Sequence, residues 1–310
     1  MSCVLGIDTS NYTTSVALFD GLKMLQKKQL LPVKQGERGF RQSDAVFYHT
    51  RQLPELLQVL FKEWAVLPDA VGVSLRPREQ EGSYMPCFTV GSGMATGISS
   101  AMQIPKAEWS HQHGHIAAAL YSCGHTDWFG QRFLAFHVSG GTTEALLVTP
   151  DAEKIFRPQI VAKSLDLKAG QAVDRVGVML GLSFPAGPEM DLLARESTAE
   201  FQIRPVIKDG NCSLSGIENQ CQRLWEKGTS PSDIARYCVE AICAAVDGMT
   251  AELLKKYGRL PIAFAGGVMS NSIIQERLSK KYGASFAAPA YSCDNAAGIA
   301  YLTYHQYFMK

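Results

Sequence analysis

The sequence predicts a mixed α/β protein built of two lobes, and three observations lead to this fold class. The chain has 310 residues, of which 46% are hydrophobic and 19% charged. That composition is typical of a globular protein with one large domain or two lobes of about 150 residues each. Apolar strands that end in polar or glycine-rich turns alternate with amphipathic helical segments. A strand–turn–strand unit near the N-terminus recurs later in the chain, which suggests a duplicated lobe.

The charge and cysteine content limit the possible classes of protein. Lys and Arg number 30, Asp and Glu number 29, and the formal net charge is +1. A protein that binds nucleic acid alone usually has a basic excess. The sequence has no long apolar run and no signal-peptide pattern, so we expect a cytoplasmic protein with no membrane partner. The 8 cysteines form no Cys-x-x-Cys pair and predict free thiols rather than a zinc knuckle or redox pair.

The repeated unit consists of two strands joined by a polar turn. Residues 3–7 and 14–19 predict strands, and residues 8–13 predict the turn between them. The second copy has strands at 133–138 and 142–148, joined by Ser139-Gly140-Gly141. When Thr13 is aligned with Thr142, Asp8 aligns with His137, an offset of 137 − 8 = 129 residues. The offset is close to half of the chain, as duplication of a lobe requires.

The remaining segments read as helices and two further strands. Pro54 is expected to kink or restart the first helix, Ser110 to cap the third, and residues 184–188 to break the chain. Helices are predicted at 42–64, 89–102, 111–121, 166–180, 232–256, 271–281 and 294–307, and strands at 70–75 and 261–265. We therefore predict an N-terminal lobe at 1–130, a C-terminal lobe at 131–290 and a final helix at 291–310.

The most specific candidate site is the run His111-Gln112-His113-Gly114-His115. On a helix, His111 and His115 lie four residues apart on one face, where two imidazoles can bind one divalent metal. His113 lies about 200° around the helix from His111 and is not expected to join them. The spacing alone leaves open whether the segment binds a metal or is a histidine-rich helix start that binds nothing. A third ligand must come from elsewhere, and an aspartate at a helix start is a candidate.

Two glycine turns, Ser139-Gly140-Gly141 and Gly266-Gly267, follow predicted strands. Glycines let the backbone approach a ligand and turn N–H groups towards phosphate, and a following helix N-terminus favours anions. Neither turn has the lysine of a P-loop or the spacing of a dinucleotide fingerprint, so each is also compatible with an ordinary turn. Together, at two strand ends, they make nucleotide binding a hypothesis.

Two aspartates near glycine breaks are further candidates. Asp174 lies on a predicted helix, and Asp191 follows Gly187-Pro188. Carboxylates at such positions can accept hydrogen bonds from ribose hydroxyls or help to position a metal–phosphate unit. Both can equally be surface charges, and the sequence pattern alone favours that simpler interpretation.

In their order along the chain, these motifs resemble those of the TsaD family, formerly called glycoprotease or O-sialoglycoprotein endopeptidase. The resemblance extends over nearly the whole chain. It rests on residues 5–10, 111–115, 139–141, 170–174, 182–191, 213–216, 266–271 and 294–297. The family has the duplicated actin/Hsp70/sugar-kinase (ASKHA) fold, so the resemblance implies that fold here.

The resemblance also implies an activity. Such proteins transfer a threonylcarbamoyl group from an adenylate to the exocyclic amine of the tRNA adenosine beside the anticodon. The implied cofactor is one divalent metal, iron or zinc, held by His111, His115 and Asp294 and acting as a Lewis acid. The implied bound nucleotide is ATP or an acyl-adenylate, with its site in the C-terminal lobe at 131–290. The helix at 291–310 is implied to return to the first lobe. Since the net charge is near neutral, we expect tRNA to be engaged through partner proteins, and a homodimer or heterodimer stays open.

The resemblance assigns further residues to the same site. Asp8 and Ser139 are implied at the catalytic centre. Ser139 with Gly140 and Gly141 would approach the phosphate or the ligand on the metal. The adenosine part would be held by Asp174, Gly187, Asp191 and Asn271, with Gly266 and Gly267 giving it room.

The chain departs from the family at positions around the chemistry. Tyr12 and Thr13 stand where the family has an acidic pair, so two carboxylates are missing. His113 replaces a glutamate between the metal histidines, and Thr142 replaces a histidine after the Ser-Gly-Gly turn. The family's Gly-Pro-Gly-Leu loop is replaced by the charged residues 75–83. The pattern keeps the metal and nucleotide scaffold and changes several neighbouring groups.

Three functions therefore remain as hypotheses. The first is metal-dependent threonylcarbamoyl transfer to tRNA or a closely related carbamoyl transfer. The second is a non-catalytic paralogue that binds nucleotide or metal and acts as a partner or regulator, which the missing acids at Tyr12 and Thr13 favour. The third is a metalloendopeptidase, which Gln112 disfavours because the His-Glu-x-x-His class needs glutamate there as general base.

Overall fold

A computed structural model describes residues 2–10, 12–32, 41–294 and 296–309, so Asn11 of the predicted turn and Asn295 of the last motif lie outside the described residues. The chain divides into two compact units. Unit 1 comprises Met1–Phe129, Pro150–Pro158 and Cys293–Lys310, and unit 2 comprises Gly130–Thr149 and Gln159–Ser292.

The described residues form a mixture of strands and helices. The strands are β1 (Val4–Ser10), β2 (Thr13–Phe19), β3 (Met24–Leu30), β4 (Ala70–Arg76), β5 (Lys106–Ser110), β6 (Phe133–Val138), β7 (Thr143–Asp151), β8 (Ile155–Lys163), β9 (Val206–Lys208), β10 (Asn211–Ser213), β11 (Ile262–Ala265) and β12 (Ser285–Phe286). The helices are α1 (Gln42–Glu63), α2 (Phe88–Met102), α3 (His111–Cys123), α4 (Ala169–Met179), α5 (Gly187–Arg195), α6 (Ser215–Glu226), α7 (Pro231–Tyr257), α8 (Ser272–Tyr282) and α9 (Ala297–Phe308).

Unit 1 is built on a five-stranded sheet with the order β3-β2-β1-β4-β5. Strand β1 is antiparallel to β2 and parallel to β4. Side chains alternate across a strand, so Leu5 and Ile7 enter the apolar core on one face, with partners from α1 and α2, while Gly6 faces α9 on the other. The sheet is therefore covered by helices on both faces, as its largely apolar strands require.

Unit 2 contains a second five-stranded sheet with the order β12-β11-β6-β7-β8. Strand β6 is antiparallel to β7 and parallel to β11, so it occupies the position that β1 has in unit 1. The last residue pairs of the two hairpins also match. Ser10 pairs with Thr13, and the Ser139 N–H donates to the carbonyl of Thr142, an offset of 139 − 10 = 129 residues. The predicted duplicated α/β fold is confirmed.

Several predicted element boundaries were wrong. Asp8 and Ser10 belong to strand β1 rather than to a turn, because they pair with Ser15 and Thr13. Helix α1 continues through Pro54 without a restart. Helices α4, α8 and α9 begin one to three residues later than predicted, at Ala169, Ser272 and Ala297. Helix α5 was missed, because the prolines around its start were interpreted only as a break.

One segment of the predicted C-terminal lobe is grouped differently. Residues 150–158, at the β7–β8 connection, belong to unit 1. The physical reason is Phe156, which is fully buried and stacks on Phe129 at a ring-centroid distance of 5.2 Å and on His113 at 4.9 Å. Among the residues that the structure describes, no helix has both the length and the apolar character needed to cross a membrane.

Candidate metal centre and nucleotide-binding segments

Helix α3 brings the two histidines of the candidate metal centre to one face. Ser110 precedes the helix in an extended conformation, and its Oγ accepts the His113 N–H as an N-cap. The helix therefore begins at His111, and the next residue on the same face is His115. Their rings lie with centroids 4.3 Å apart.

Three glycines bring Asp294 to this face although it is distant in the sequence. A Cβ at Gly298 in α9 would stand 1.9 Å from the carbonyl oxygen of Gly114 in α3. A Cβ at Gly6 in β1 would stand 2.6 Å from the carbonyl oxygen of Ala296. Because no side chain separates these backbones, the start of α9 lies directly against α3 and β1. Asp294 lies three residues before α9 and is held beside the two histidines.

The ligand atoms of His111, His115 and Asp294 lie close together in one cluster. Asp294 Oδ1 lies 3.4 Å from His111 Nε2 and 3.3 Å from His115 Nε2. One ligand atom from each residue lies within 4.8 Å of the others. The side chains of His111 and His115 are 17% and 10% exposed, so the cluster is largely shielded but reachable. Within the described ranges, this is the one such group of His, Cys, Asp or Glu that could hold a metal ion.

The donor set and its spacing fit a divalent ion. Ligand atoms at about 2.1 Å from one ion, with tetrahedral angles between them, lie about 3.4 Å apart. The observed Nε2–Oδ1 distances of 3.3 and 3.4 Å agree with that separation. Two imidazoles and one carboxylate are ligands that Fe²⁺ and Zn²⁺ both accept. The residues present are therefore compatible with either metal.

A buried acid sets the orientation of the His111 ring. Asp8 Oδ2 accepts from His111 Nδ1 at 2.5 Å, and Asp8 Oδ1 accepts from Ser74 Oγ at 2.8 Å. Because a carboxylate only accepts, Nδ1 of His111 keeps a proton, and Nε2 is the nitrogen that faces Asp294. Second-sphere carboxylates of this kind orient metal-binding histidines.

The ionisation of the cluster reflects strong mutual attraction. Burial disfavours the charged His111 ring, but the carboxylates of Asp8 and Asp294 outweigh it and raise the pKa of His111 to about 10. Burial also opposes the charge on Asp294, yet its hydrogen bonds with His111 and His115 hold the pKa of Asp294 well below its usual range. In the metal-free protein, a proton on His111 thus supplies the positive charge that the site attracts.

A hydroxyl group contacts the other oxygen of Asp294. Thr13 Oγ1 donates to Asp294 Oδ2 at 3.3 Å, and Thr13 is only 4% exposed. Thr13 is one of the two positions at which the family resemblance implies a missing acidic pair. A neutral donor therefore lies next to the metal-ligand candidate.

His113 points away from the cluster, as the helical spacing predicts. Its Nε2–H donates to the carbonyl of Phe156 at 2.9 Å, and its Nδ1 lies 2.7 Å from Ser110 Oγ. Burial lowers the pKa of His113, so the ring is neutral and Nδ1 accepts the Ser110 hydroxyl proton. His113 links the start of α3 to residues 150–158 and takes no part in the metal cluster.

The predicted nucleotide-binding residues all lie in unit 2. Ser139 Oγ accepts the N–H of Thr142, and the carbonyl of Ser139 accepts the N–H of Gly170 at the start of α4. A Cβ at Gly170 would stand 2.5 Å from the nitrogen of Gly140. The first turn of α4 therefore packs directly on the glycine turn. Added Cβ atoms at Gly140 and Gly141 would meet nothing within 4 Å, so this side of the turn is open.

The predicted adenosine-binding aspartates connect helix starts in unit 2. Asp174 Oδ1 accepts the N–H of Ala186, directly before Gly187 at the start of α5, and burial raises the pKa of Asp174. Asp191 Oδ1 accepts hydrogen bonds from the backbone N–H and from the side-chain hydroxyl of Ser272, each at 3.0 Å. Asp174 thus fixes the start of α5, and Asp191 fixes that of α8.

The last predicted segment follows strand β11. Asn271 is the N-cap of α8, where its Oδ1 accepts the N–H groups of Ile273 and Ile274. Gly266 has φ +103°, and a Cβ there would stand 2.2 Å from the carbonyl oxygen of Val138, so only glycine fits. Gly267 borders open space. The predicted residues of this segment therefore divide between backbone packing at Gly266, capping at Asn271 and an open edge at Gly267.

Sequence reasoning missed Ser74 and Asp166. Ser74 is fully buried in β4 and carries no motif. Asp166 accepts the backbone N–H groups of Leu167 and Leu214 at 2.6 and 2.7 Å and the hydroxyl of Ser215 at 2.7 Å. It therefore fixes the start of α6 beside β10. Its position three residues before α4 was a signal, but the segment was interpreted as helix.

Fold and site together define a class, an ASKHA-type two-lobed α/β protein with a His-His-Asp cluster in one unit. The sequence matches the family described as "TsaD: tRNA N6-adenosine threonylcarbamoyltransferase" over residues 28–301. The chain belongs to this family.

Curated relatives support the same assignment. A tRNA N6-adenosine threonylcarbamoyltransferase from Persephonella marina is 28% identical and covers 98% of this chain and 90% of its own length. The protein of the same name from Archaeoglobus fulgidus is 26% identical, with coverage of 96% and 89%.

Solved structures show the fold. HypF in its phosphate- and nucleotide-bound form aligns with a TM-score of 0.60 at 16% identity, covering 97% of this chain and 54% of HypF. (R)-2-hydroxyglutaryl-CoA dehydratase component A from Acidaminococcus fermentans aligns with a TM-score of 0.57 at 15% identity, covering 99% of both chains.

Proposed function

We propose that the protein transfers a threonylcarbamoyl group from an adenylate to tRNA adenosine, with one divalent metal held by His111, His115 and Asp294. The observation that supports this proposal most strongly is the convergence of three ligand atoms within 4.8 Å in a member of this family. When bound, iron or zinc would supply Lewis-acid polarisation of the carbamoyl or phosphate oxygens.

The chain's own residues prepare this site for the ion. Asp8 holds the proton of His111 on Nδ1 and leaves Nε2 as the ligand atom. Thr13 donates to Oδ2 of Asp294 and leaves Oδ1 towards the histidines. In this proposal, Asp8 acts at the catalytic centre through His111 rather than on the substrate.

In the same proposal, unit 2 binds the adenylate. The open side of Gly140 and Gly141, beside the start of α4, suits the phosphate, because backbone N–H groups and a helix N-terminus favour an anion. Gly187 and Gly267 also border open space and leave room for the adenosine part. Ser139 fixes the turn through its contact with Thr142, and so supports the phosphate site.

Partner proteins are part of the proposal. The formal net charge of +1 provides little electrostatic attraction for tRNA. We therefore propose that tRNA is held in a complex with other proteins of the threonylcarbamoyl pathway, in the cytoplasm where tRNA is modified.

The test is an assay with defined components. Metal-loaded protein is incubated with threonylcarbamoyl-adenylate, unmodified tRNA and the pathway proteins, and the modified nucleoside is measured by mass spectrometry. We expect product with the wild type and with His125→Ala, whose ring stacks on Trp128 outside the cluster. We expect none with His111→Ala or Asp294→Ala. Absence of product from the wild type with every partner would reject the proposed reaction.

A second candidate is a paralogue that binds the nucleotide without transferring the carbamoyl group. The missing acids at Tyr12 and Thr13 favour it. The charged segment 75–83, in which Arg76 at the end of β4 pairs with Glu79, also favours it. Under this candidate, the double variant Tyr12→Asp/Thr13→Glu binds the adenylate and still gives no modified tRNA. Product from the wild type would exclude it.

A further inference from the structure

Two hydroxyl groups touch the carboxylates that surround the candidate metal centre. We propose that Thr13 and Ser74 are positioning residues for the metal ligands, Thr13 for Asp294 and Ser74, through Asp8, for His111. This inference rests on the proposed metal centre and adds to it two residues that have no metal-binding atom in the cluster. It explains how the centre is kept although the family's acidic pair is missing.

Thr13 acts on the carboxylate ligand. Asp294 lies in the connection before α9, and its two oxygens have different partners. Oδ1 lies 3.3 to 3.4 Å from the histidine nitrogens, and Oδ2 accepts from Thr13 Oγ1 at 3.3 Å. Thr13 is the first residue of β2 and is paired with Ser10, so its position is fixed by the sheet. The hydrogen bond therefore restrains rotation of the carboxylate and keeps Oδ1 as the ligand atom.

Ser74 acts on His111 through Asp8. Its hydroxyl is fully buried in β4 and donates to Asp8 Oδ1 at 2.8 Å. Asp8 is itself fully buried, and its Oδ2 accepts from His111 Nδ1. A buried carboxylate needs donors to offset the loss of hydration, and Ser74 supplies one without competing for His111. Removing it would leave Asp8 Oδ1 without this donor and free the carboxylate to rotate away from the ring.

Thr14 provides a matched control on the same strand. It is fully buried, like Thr13 a threonine of β2, and its Oγ1 bonds to His49 and Gln52, each at 2.7 Å. Thr14→Val therefore removes buried hydrogen bonds of similar or greater strength without touching His111, His115 or Asp294. A merely structural role for Thr13 would make both substitutions behave alike.

The experiment titrates the metal-stripped full chain with Zn²⁺ by calorimetry and with Co²⁺ by visible absorption, which reports the ligand geometry. Variants are Thr13→Val, Ser74→Ala, Thr13→Ser and Thr14→Val, each checked for folding by circular dichroism. We expect Kd to rise about 10- to 100-fold for Thr13→Val and Ser74→Ala, with an altered Co²⁺ spectrum. Thr13→Ser restores the hydroxyl and the affinity, and Thr14→Val keeps the wild-type Kd and spectrum.

The outcomes separate this inference from the proposed function. A wild type that binds metal, with Kd and spectrum unchanged in Thr13→Val and Ser74→Ala, overturns the inference and leaves the metal centre in place. Equal weakening by Thr14→Val also overturns it, because the effect would then be general destabilisation. If the wild type binds neither Zn²⁺ nor Co²⁺, the metal centre of the proposed function fails, and the inference fails with it. If Thr13→Val does not fold, Thr13→Ala takes its place with the same expectation.

Discussion

Two hairpins occupy the same position in their sheets but present different chemical groups. In unit 1, β1 brings the buried carboxylate of Asp8 to His111, and β2 begins with Thr13 beside Asp294. In unit 2, the corresponding hairpin of β6 and β7 has His137 at the position of Asp8 and the open glycine pair at its turn. In the proposed function, the first hairpin orients acceptor atoms for a cation, whereas the second exposes backbone for an anion.

The comparison shows how duplication separates two tasks without changing the backbone. The last paired residues of the two hairpins, Ser10 with Thr13 and Ser139 with Thr142, are equivalent, and both sheets have the same strand order. The two units differ in which helix is packed closely because a glycine leaves room for it. Gly298 lets α9 approach α3 in unit 1, and Gly170 lets α4 approach the turn in unit 2. The two glycine contacts should therefore be separable by substitution.

The largest effect is expected from Gly298→Ala. The new Cβ would stand 1.9 Å from the carbonyl oxygen of Gly114, so α9 must shift and carry Asp294 away from the histidines. We expect Zn²⁺ binding by calorimetry to be lost and the free energy of unfolding to fall by about 1 to 3 kcal/mol, the usual cost of overpacking. Gly97→Ala in α2, where a Cβ meets nothing, is the control and should stabilise by about 0.5 to 1 kcal/mol. Unchanged metal binding in Gly298→Ala would contradict the packing argument.

Gly170→Ala is expected to weaken adenylate binding and to leave metal binding unchanged. Its Cβ would stand 2.5 Å from the nitrogen of Gly140, so the glycine turn must move. We expect weaker binding of a threonylcarbamoyl-adenylate analogue in calorimetry, with Zn²⁺ affinity unchanged, because the metal cluster lies in unit 1. Loss of metal binding in this variant, with the analogue still bound normally, would reverse the assignment of tasks to the two units.

A smaller effect, on stability, is expected from substitution of Asp166. This residue lies outside both hairpins. Burial opposes its charge, but hydrogen bonds from Leu214, Ser215 and Leu167 lower the pKa of Asp166 to about 2. Because the folded-state pKa is depressed, its stabilisation is full above the unfolded pKa of about 4 and is lost as pH falls towards 2. Asp166→Asn should reduce the free energy of unfolding by about 1 kcal/mol at pH 7, a value that allows for solvent exposure.

Urea unfolding at several pH values measures this difference. The gap between wild type and Asp166→Asn should shrink as pH falls from 5 towards 2. Glu252→Gln, an exposed charge removal on α7, is the control and should show no such gap. A gap that stays constant over this pH range would show that Asp166 acts by packing rather than by charge.

Much of the fold could be predicted from the sequence, because the pattern of apolar strands and polar turns is local. The tight turns and the offset of 129 residues gave the duplication from the alignment of Thr13 with Thr142. The strands β3, β5 and β8 were missed. All three lie at the edge of a sheet and are partly exposed, so their sequences lack the continuous apolar run of the central strands. Helix starts were placed too early where an aspartate or asparagine precedes the first helical residue.

The candidate site was only partly visible in the sequence. His111 and His115 follow from helical spacing, whereas Asp294, 294 − 115 = 179 residues from His115, came only from the family resemblance. The glycine contacts that hold it there depend on which helices meet, and a single sequence does not contain that information. For the same reason, Thr13 was interpreted only as a missing acid, although its hydroxyl contacts Asp294.

Elemental analysis tests whether His111, His115 and Asp294 form one metal site. Protein is purified without chelator as wild type, His111→Ala and Asp294→Ala, and its iron and zinc content per chain is measured. We expect about one ion per chain in the wild type and loss of that ion in both variants, because each removes one of three ligands. Absence of metal from the wild type, or its retention in either variant, would show that these residues do not form the site.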